Sequence, residues 1–187
     1  MPKLAPFKIQ LATRALQHGK IIAYPTEAVY GLGCDPLNAS AVLKLLQLKQ
    51  RPMHKGLILI ASDFSQLQPF INPTPAMLQR IMPSWPGPVT WIIPAQAWVP
   101  EYLTGTHNSL AVRVSSHPLV QQLCSTYGGA IVSTSANISK QAPARSALAV
   151  RKNFATNNLL ILAGTTHKNN QPTAIYNAAN GHCVRAS

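Results

Sequence analysis

Residues Lys49 to Ile60 read KQRPMHKGLILI, and this stretch constrains the chain more than any other. Pro52 has no N–H and restricts the residue before it, so a helix arriving from upstream must stop near Arg51. Gly56 lets the chain reverse into Leu57-Ile58-Leu59-Ile60-Ala61, an apolar run that reads as a buried strand. Between helix and strand the turn carries Lys49, Arg51, His54 and Lys55. Three fixed cations beside a buried strand call for anionic partners. The chain offers only Glu27, Asp35, Asp63 and Glu101. The shortage points outward, to a phosphate-rich ligand. The plainer alternative is a solvated basic loop. A second stretch, IVSTSAN at Ile131 to Asn137, favours the ligand. Small hydroxyl and amide groups at a strand's carboxyl end are how open α/β sheets present donors. Ser and Asn are also common in helix-capping turns, which is the structural alternative here.

A chain of 187 residues, 47% of them hydrophobic, fits one domain with a sizeable core. No apolar run reaches membrane-spanning length. The start, MPKLAPFKIQ, lacks an apolar signal segment, so a cytoplasmic location is expected. Cys34, Cys124 and Cys183 suit reduced buried thiols better than a disulfide frame, and no Cys or His pair has zinc-ligand spacing. Sixteen Lys plus Arg against four acids give a net charge of +12, which implies phosphate ligands, nucleic acid or both. Four scattered acids cannot easily build a two-metal carboxylate site. No dedicated protein metal site is expected, and magnesium would arrive on a nucleotide's phosphates.

Periodicity predicts a helix over Phe7–His18 and a strand over Lys20–Tyr24, followed by a polar, glycine-bearing loop from Pro25 to Gly33. Gly31 and Gly33 lack the third glycine of a dinucleotide fingerprint, and there is no P-loop motif. Asn38 or Ser40 caps a helix reaching Gln50. Two short helices are expected over Asp63–Phe70 and Thr74–Ile81, a strand over Val89–Ile93, and a loop over Ala95–Asn108. Ser109–Ser115 alternates as a strand around Arg113, an arginine that needs a partner or a polar cleft. A helix from Ser116-His117-Pro118 to Gly128-Gly129, the IVSTSAN strand and a helix from Arg145-Ser146 to about Phe154 follow. Strands near 159–162, 173–176 and 182–185 complete a single α/β domain with a mixed sheet.

PTEAVYGLG, LKQRP with KGLILI, SWPGPVT, SLAVRV with HPLV, and STSAN occur in this order. Together they resemble the YrdC-type family, most closely its short bacterial threonylcarbamoyl-AMP synthases, over roughly residues 20 to 180. The resemblance implies one YrdC-like domain over residues 1–187, a twisted mixed sheet with flanking helices around a basic concave cavity. It implies the conversion of L-threonine, bicarbonate and ATP to threonylcarbamoyl-AMP and pyrophosphate. Partner proteins would use that product to modify the adenosine beside the anticodon of tRNA. The family's K-x-R falls on Lys49 and Arg51, expected as the nucleotide-binding and catalytic cations. Its S-x-N falls on Ser135 and Asn137, also in nucleotide binding, and Lys55 and Arg145 lie where relatives contact phosphate or nucleotide. Arg113 is expected near the threonine carboxylate, with Thr26 and Ser133 lining the threonine pocket. Many long relatives carry a hydroxyl residue where this chain has Ala28, so other groups must hold that end of threonine.

Residue chemistry fits this implied reaction. A carboxylated threonine and a nucleotide triphosphate are both anions, so a site that joins them must be strongly cationic and already organised. Phosphoryl-type transfer needs alignment and charge stabilisation more than covalent help. No Ser-His-Asp set or G-x-S-x-G turn offers an enzyme nucleophile. Glu27 is open to two readings, orienting a substrate amine or bonding to backbone. Two rivals stand beside the enzyme: an RNA-binding tRNA or rRNA maturation factor without catalysis, and a docking subunit of tRNA-modifying proteins. The charge suits the first, but aromatic residues at 6% are thin for base stacking. Direct contact between this chain and tRNA stays open.

Overall fold

The computed structural model describes residues 6–155, 159–166 and 173–186. Its framework is a nine-stranded mixed sheet in the order β7-β1-β2-β6-β3-β5-β4-β8-β9. The strands are β1 (Ile22–Pro25), β2 (Tyr30–Gly33), β3 (Ile58–Ala61), β4 (Val89–Pro94), β5 (Ser109–Val114), β6 (Ile131–Ser135), β7 (Leu160–Ile161), β8 (Ala174–Asn177) and β9 (Cys183–Arg185). Three pairings are parallel, β1 with β7, β3 with β5 and β4 with β8; the remaining pairings are antiparallel.

The helices begin where the sequence caps them. Helix α2 (Ala39–Leu48) opens on Asn38, whose side chain accepts from the Ala41 N–H. Thr74 does the same for α3 (Pro75–Ile81) and Ser146 for α6 (Ala147–Asn153). His117 caps α5 (Pro118–Tyr127), which ends on Gly128 in the left-handed conformation, φ +85°.

Three expectations need correction. Pro25–Gly33 is not a loop throughout: β1 turns at Thr26–Val29 and returns as β2, with Tyr24 opposite Gly31. Residues 30–33 carry two glycines and no alternation, so their strand state comes from pairing with β1 on one side and β6 on the other. Ala95–Asn108 contains a short helix, α4 (Glu101–Thr104). Of the cysteines, Cys34 and Cys124 are buried, but Cys183 is exposed on the edge strand β9.

Strand periodicity divides the core between two faces. Ala23, Leu32, Leu59, Val112 and Val132 pack with Val42, Leu45 and Leu46 of α2 on one face. Ile22, Tyr24, Ile60 and Ile131 pack on the other, under Ile9 and Leu16 of α1 (Pro6–Gln17) and Leu123 of α5. Register places Ile58, Ala111, Arg113 and Ser133 on this second face: Ile60 lies opposite Arg113, and Ile58 lies opposite both Ala111 and Ser133. Helices α1 and α5 cover Ile60 and Ile131, and the adjoining part of the same face lines an open cavity.

Candidate active site

The cavity has a volume of about 560 Å³ and takes its floor from apolar sheet residues, Ile58, Ile92, Ala111 and Ile175. Its polar wall comes from strand ends and turns: Thr26, Arg51, Lys55, Arg113, Ser133, Thr134 and Ser135. The C-terminal strand adds Arg185, and Thr173 lies beside it on the same wall. No carboxylate lies on this wall among the described residues.

Arg113 and Glu27 are 7% and 6% exposed and face each other, with Nη2 3.4 Å from Oε2. Arg113 Nη1 donates to Thr173 Oγ1 at 2.9 Å. Glu27 Oε1 accepts from Ser115 Oγ at 2.6 Å and from the Ser116 N–H at 3.1 Å. Burial alone would raise the Glu27 carboxyl, but Arg113 and the Ser115 hydroxyl hold it below the ordinary carboxylate range. Glu27 thus bonds both backbone and a guanidinium. The Arg113 Nε has no protein partner although it is buried.

Arg51 is fixed by its own turn. Nε and Nη2 both donate to Gly56 O, at 3.2 and 2.8 Å. Gly56 adopts φ +60°, and an added Cβ there would stand 2.7 Å from Thr104 O. Burial lowers the Arg51 pKa, and the nearby positive charge of Arg185 lowers it further. Arg185 is lowered likewise, first by burial and then by Arg113. Three guanidiniums that repel one another around one cavity make a site whose electrostatics improve when an anion enters.

Gly33 serves packing, whereas a side chain at Gly31 would make only ordinary contacts. The Tyr24 ring lies across β2, and a Cβ on Gly33 would meet Tyr24 Cε1 at 2.8 Å and Val132 O at 2.6 Å. A Cβ on Gly31 would stand 3.5 Å from Ser133 Oγ.

Of the residues singled out from sequence, Thr26, Arg51, Lys55, Arg113, Ser133 and Ser135 meet on the cavity wall. Lys49, Asn137 and Arg145 lie outside it. Lys49 is buried, Arg145 is exposed just before α6, and the Asn137 amide donates to Ile138 O and Gln141 O, both at 2.8 Å. Ala28 is buried on the wall and contributes no hydroxyl. Sequence reasoning missed Arg185 and Thr173, because a single arginine closing a short terminal strand carries no local signal. Among the described residues there is no group of three His, Cys, Asp or Glu side chains able to hold a metal, and no helix long and apolar enough to cross a membrane.

A family model for Sua5/YciO/YrdC, described as "Telomere recombination", matches residues 14–187. The chain belongs to this family. It is 46% identical over 183 residues to the threonylcarbamoyl-AMP synthase of Methylococcus capsulatus, covering 97% of this chain and 98% of that one. To the threonylcarbamoyl-AMP synthase of Yersinia enterocolitica it is 53% identical over 175 residues, 92% of each chain. Among solved structures it is similar to P. abyssi Sua5 complexed with L-threonine, with a TM-score of 0.90 and 29% identity. That match covers 97% of this chain and 54% of Sua5, so the chain spans about half of Sua5's length. E. coli YciO shares the fold, with a TM-score of 0.80 at 24% identity over 90% of this chain and 82% of that one.

Proposed function

We propose that this Sua5/YciO/YrdC-family chain is an L-threonylcarbamoyladenylate synthase, a nucleotidyltransferase. It would convert ATP, L-threonine and bicarbonate to threonylcarbamoyl-AMP, pyrophosphate and water. One observation carries the reading: a single cavity gathers Arg51, Arg185 and the Glu27-paired Arg113 with the hydroxyls of Thr26, Ser133 and Ser135, and among the described residues no carboxylate lies on its wall. The names of the curated relatives agree with it.

In this reading the threonine amine and bicarbonate combine to a carbamate, releasing water. A carbamate oxygen attacks the α-phosphorus of ATP, and pyrophosphate leaves. Arg51, Lys55 and Arg185 face the triphosphate and offset charge on the attacked and leaving oxygens. Magnesium would be carried in on the nucleotide's phosphates and would offset their charge. Arg113 grips the threonine carboxylate with two parallel hydrogen bonds, a geometry lysine cannot copy. Thr26 and Ser133 line the threonine end, and Ser135 the nucleotide end. The adenylate would pass to tRNA-modifying partner proteins in the cytoplasm.

Pyrophosphate should be released from ATP only when threonine and bicarbonate are both present. Equal release without threonine would indicate a nucleotide hydrolase and refute the reading. Protection against heat unfolding by tRNA but not by ATP would favour an RNA-binding factor instead.

A further inference from the structure

The two cations of the Lys49-Gln50-Arg51 run do different things. Lys49 ends the turn after α2 with φ −86° and ψ −7°, and Gln50 then adopts φ +50°. That left-handed residue reverses the chain, and the neighbouring side chains part company. Arg51 goes to the cavity wall. Lys49, 3% exposed, turns away and sends its ammonium into the end of β6, where Nζ donates to Ser135 O and, at 2.7 Å, to Asn137 O. The Lys49 carbonyl accepts from the Ser139 N–H at 2.8 Å, closing a third bond to the same segment.

An ammonium has three N–H groups, and two are committed to these carbonyls. The segment it holds carries Ser133 and Ser135, which sit on the cavity wall, with Thr134 between them. It then continues through Asn137, whose amide is spent on Ile138 O and Gln141 O. Burial and the adjacent Arg51 charge bring the Lys49 pKa down to about 8, as suits a cation facing dipoles in place of a counter-ion.

We infer that Lys49 is a positioning residue and not a phosphate ligand: it clamps the end of β6 so that Ser133 and Ser135 are presented together to threonine and nucleotide. The inference rests on the synthase reading of the cavity. It separates from a ligand role because the clamp serves both substrates at once, whereas a phosphate contact serves ATP alone.

The test compares Lys49→Met, which keeps chain length and removes the donors, with Arg51→Ala, which removes a cavity-facing cation. Pyrophosphate release is titrated separately in ATP and threonine, and backbone hydrogen exchange is followed across residues 134–139 without substrates. For Lys49→Met the clamp predicts kcat at least ~10-fold lower and KM values for ATP and threonine raised by similar factors. It also predicts faster exchange in 134–139. Arg51→Ala should raise the ATP KM selectively and leave that exchange unchanged. Should Lys49→Met instead raise only the ATP KM, with exchange as in the parent protein, the clamp is refuted and Lys49 is a nucleotide ligand. Lys49→Gln, which retains two donors, serves if the methionine variant does not fold. Exchange reads the clamp independently of turnover, so an inactive parent protein would overturn the synthase reading while exchange still decides the clamp.

Discussion

Arg113 offers the sharpest test of how the site divides between scaffold and chemistry. Its guanidinium and the Glu27 carboxylate are both more than nine-tenths buried, and Thr173 takes one further donor. Arg113→Lys keeps the positive charge opposite Glu27 and removes the fork. A charge-assisted hydrogen bond contributes about 1.5–3 kcal/mol, so threonine binding should weaken roughly 10- to 150-fold while ATP binding changes much less. Losing the Thr173 contact costs on the order of 1 kcal/mol, which lowers the melting temperature by about 2–4 °C. Glu27→Gln is the complementary change. It leaves a buried guanidinium without a counter-charge, at a cost of about 3–5 kcal/mol. A bound threonine carboxylate would restore that charge, so threonine should raise the melting temperature of Glu27→Gln more than that of the parent. Steady-state titrations of pyrophosphate release in threonine and ATP, with melting curves at several threonine concentrations, measure both effects. An Arg113→Lys variant with unchanged threonine affinity and only a lowered melting temperature would show that the pair is scaffold alone.

Four further outcomes are expected. Arg185→Ala should weaken ATP binding about 10- to 100-fold in a calorimetric titration, since it deletes one cation from the wall and relieves none of the others of substrate charge. Gly33→Ala should destabilise the fold by more than about 2 kcal/mol in urea unfolding, because its Cβ meets backbone oxygen Val132 O at 2.6 Å. The Glu27 carboxyl titrates lower in the folded than in the unfolded chain, so its contribution is complete above roughly pH 4.3 and fades as pH falls through the folded value. Glu27→Gln should therefore flatten the acid limb of the stability profile. Lys49 titrates near 8 when folded against 10.5 when free, so the unfolded state holds more protons between these values and stability rises with pH there; Lys49→Met should remove that slope.

Local chemistry in the sequence determined where the elements begin and end. Asn38, Thr74 and Ser146 cap helices through their own side chains, Pro52 and Gly56 break the chain between α2 and β3, and Gly128 closes α5. The apolar runs 57–61 and 130–132 read as buried strands, and the scarcity of acids pointed to an anion from outside. Tertiary structure decided what spacing does not encode. Residues 30–33 become a strand because β1 and β6 supply both sets of hydrogen bonds. Arg113 finds Glu27 across 86 residues of sequence because register sets β5 beside β3 and turns its odd positions toward the β1–β2 turn. Arg185 reaches the cavity only because β9 pairs with β8 at the far edge of the sheet. Lys49 and Arg51, two positions apart, separate because Gln50 takes φ +50°, a backbone choice fixed by packing and invisible in the residue type.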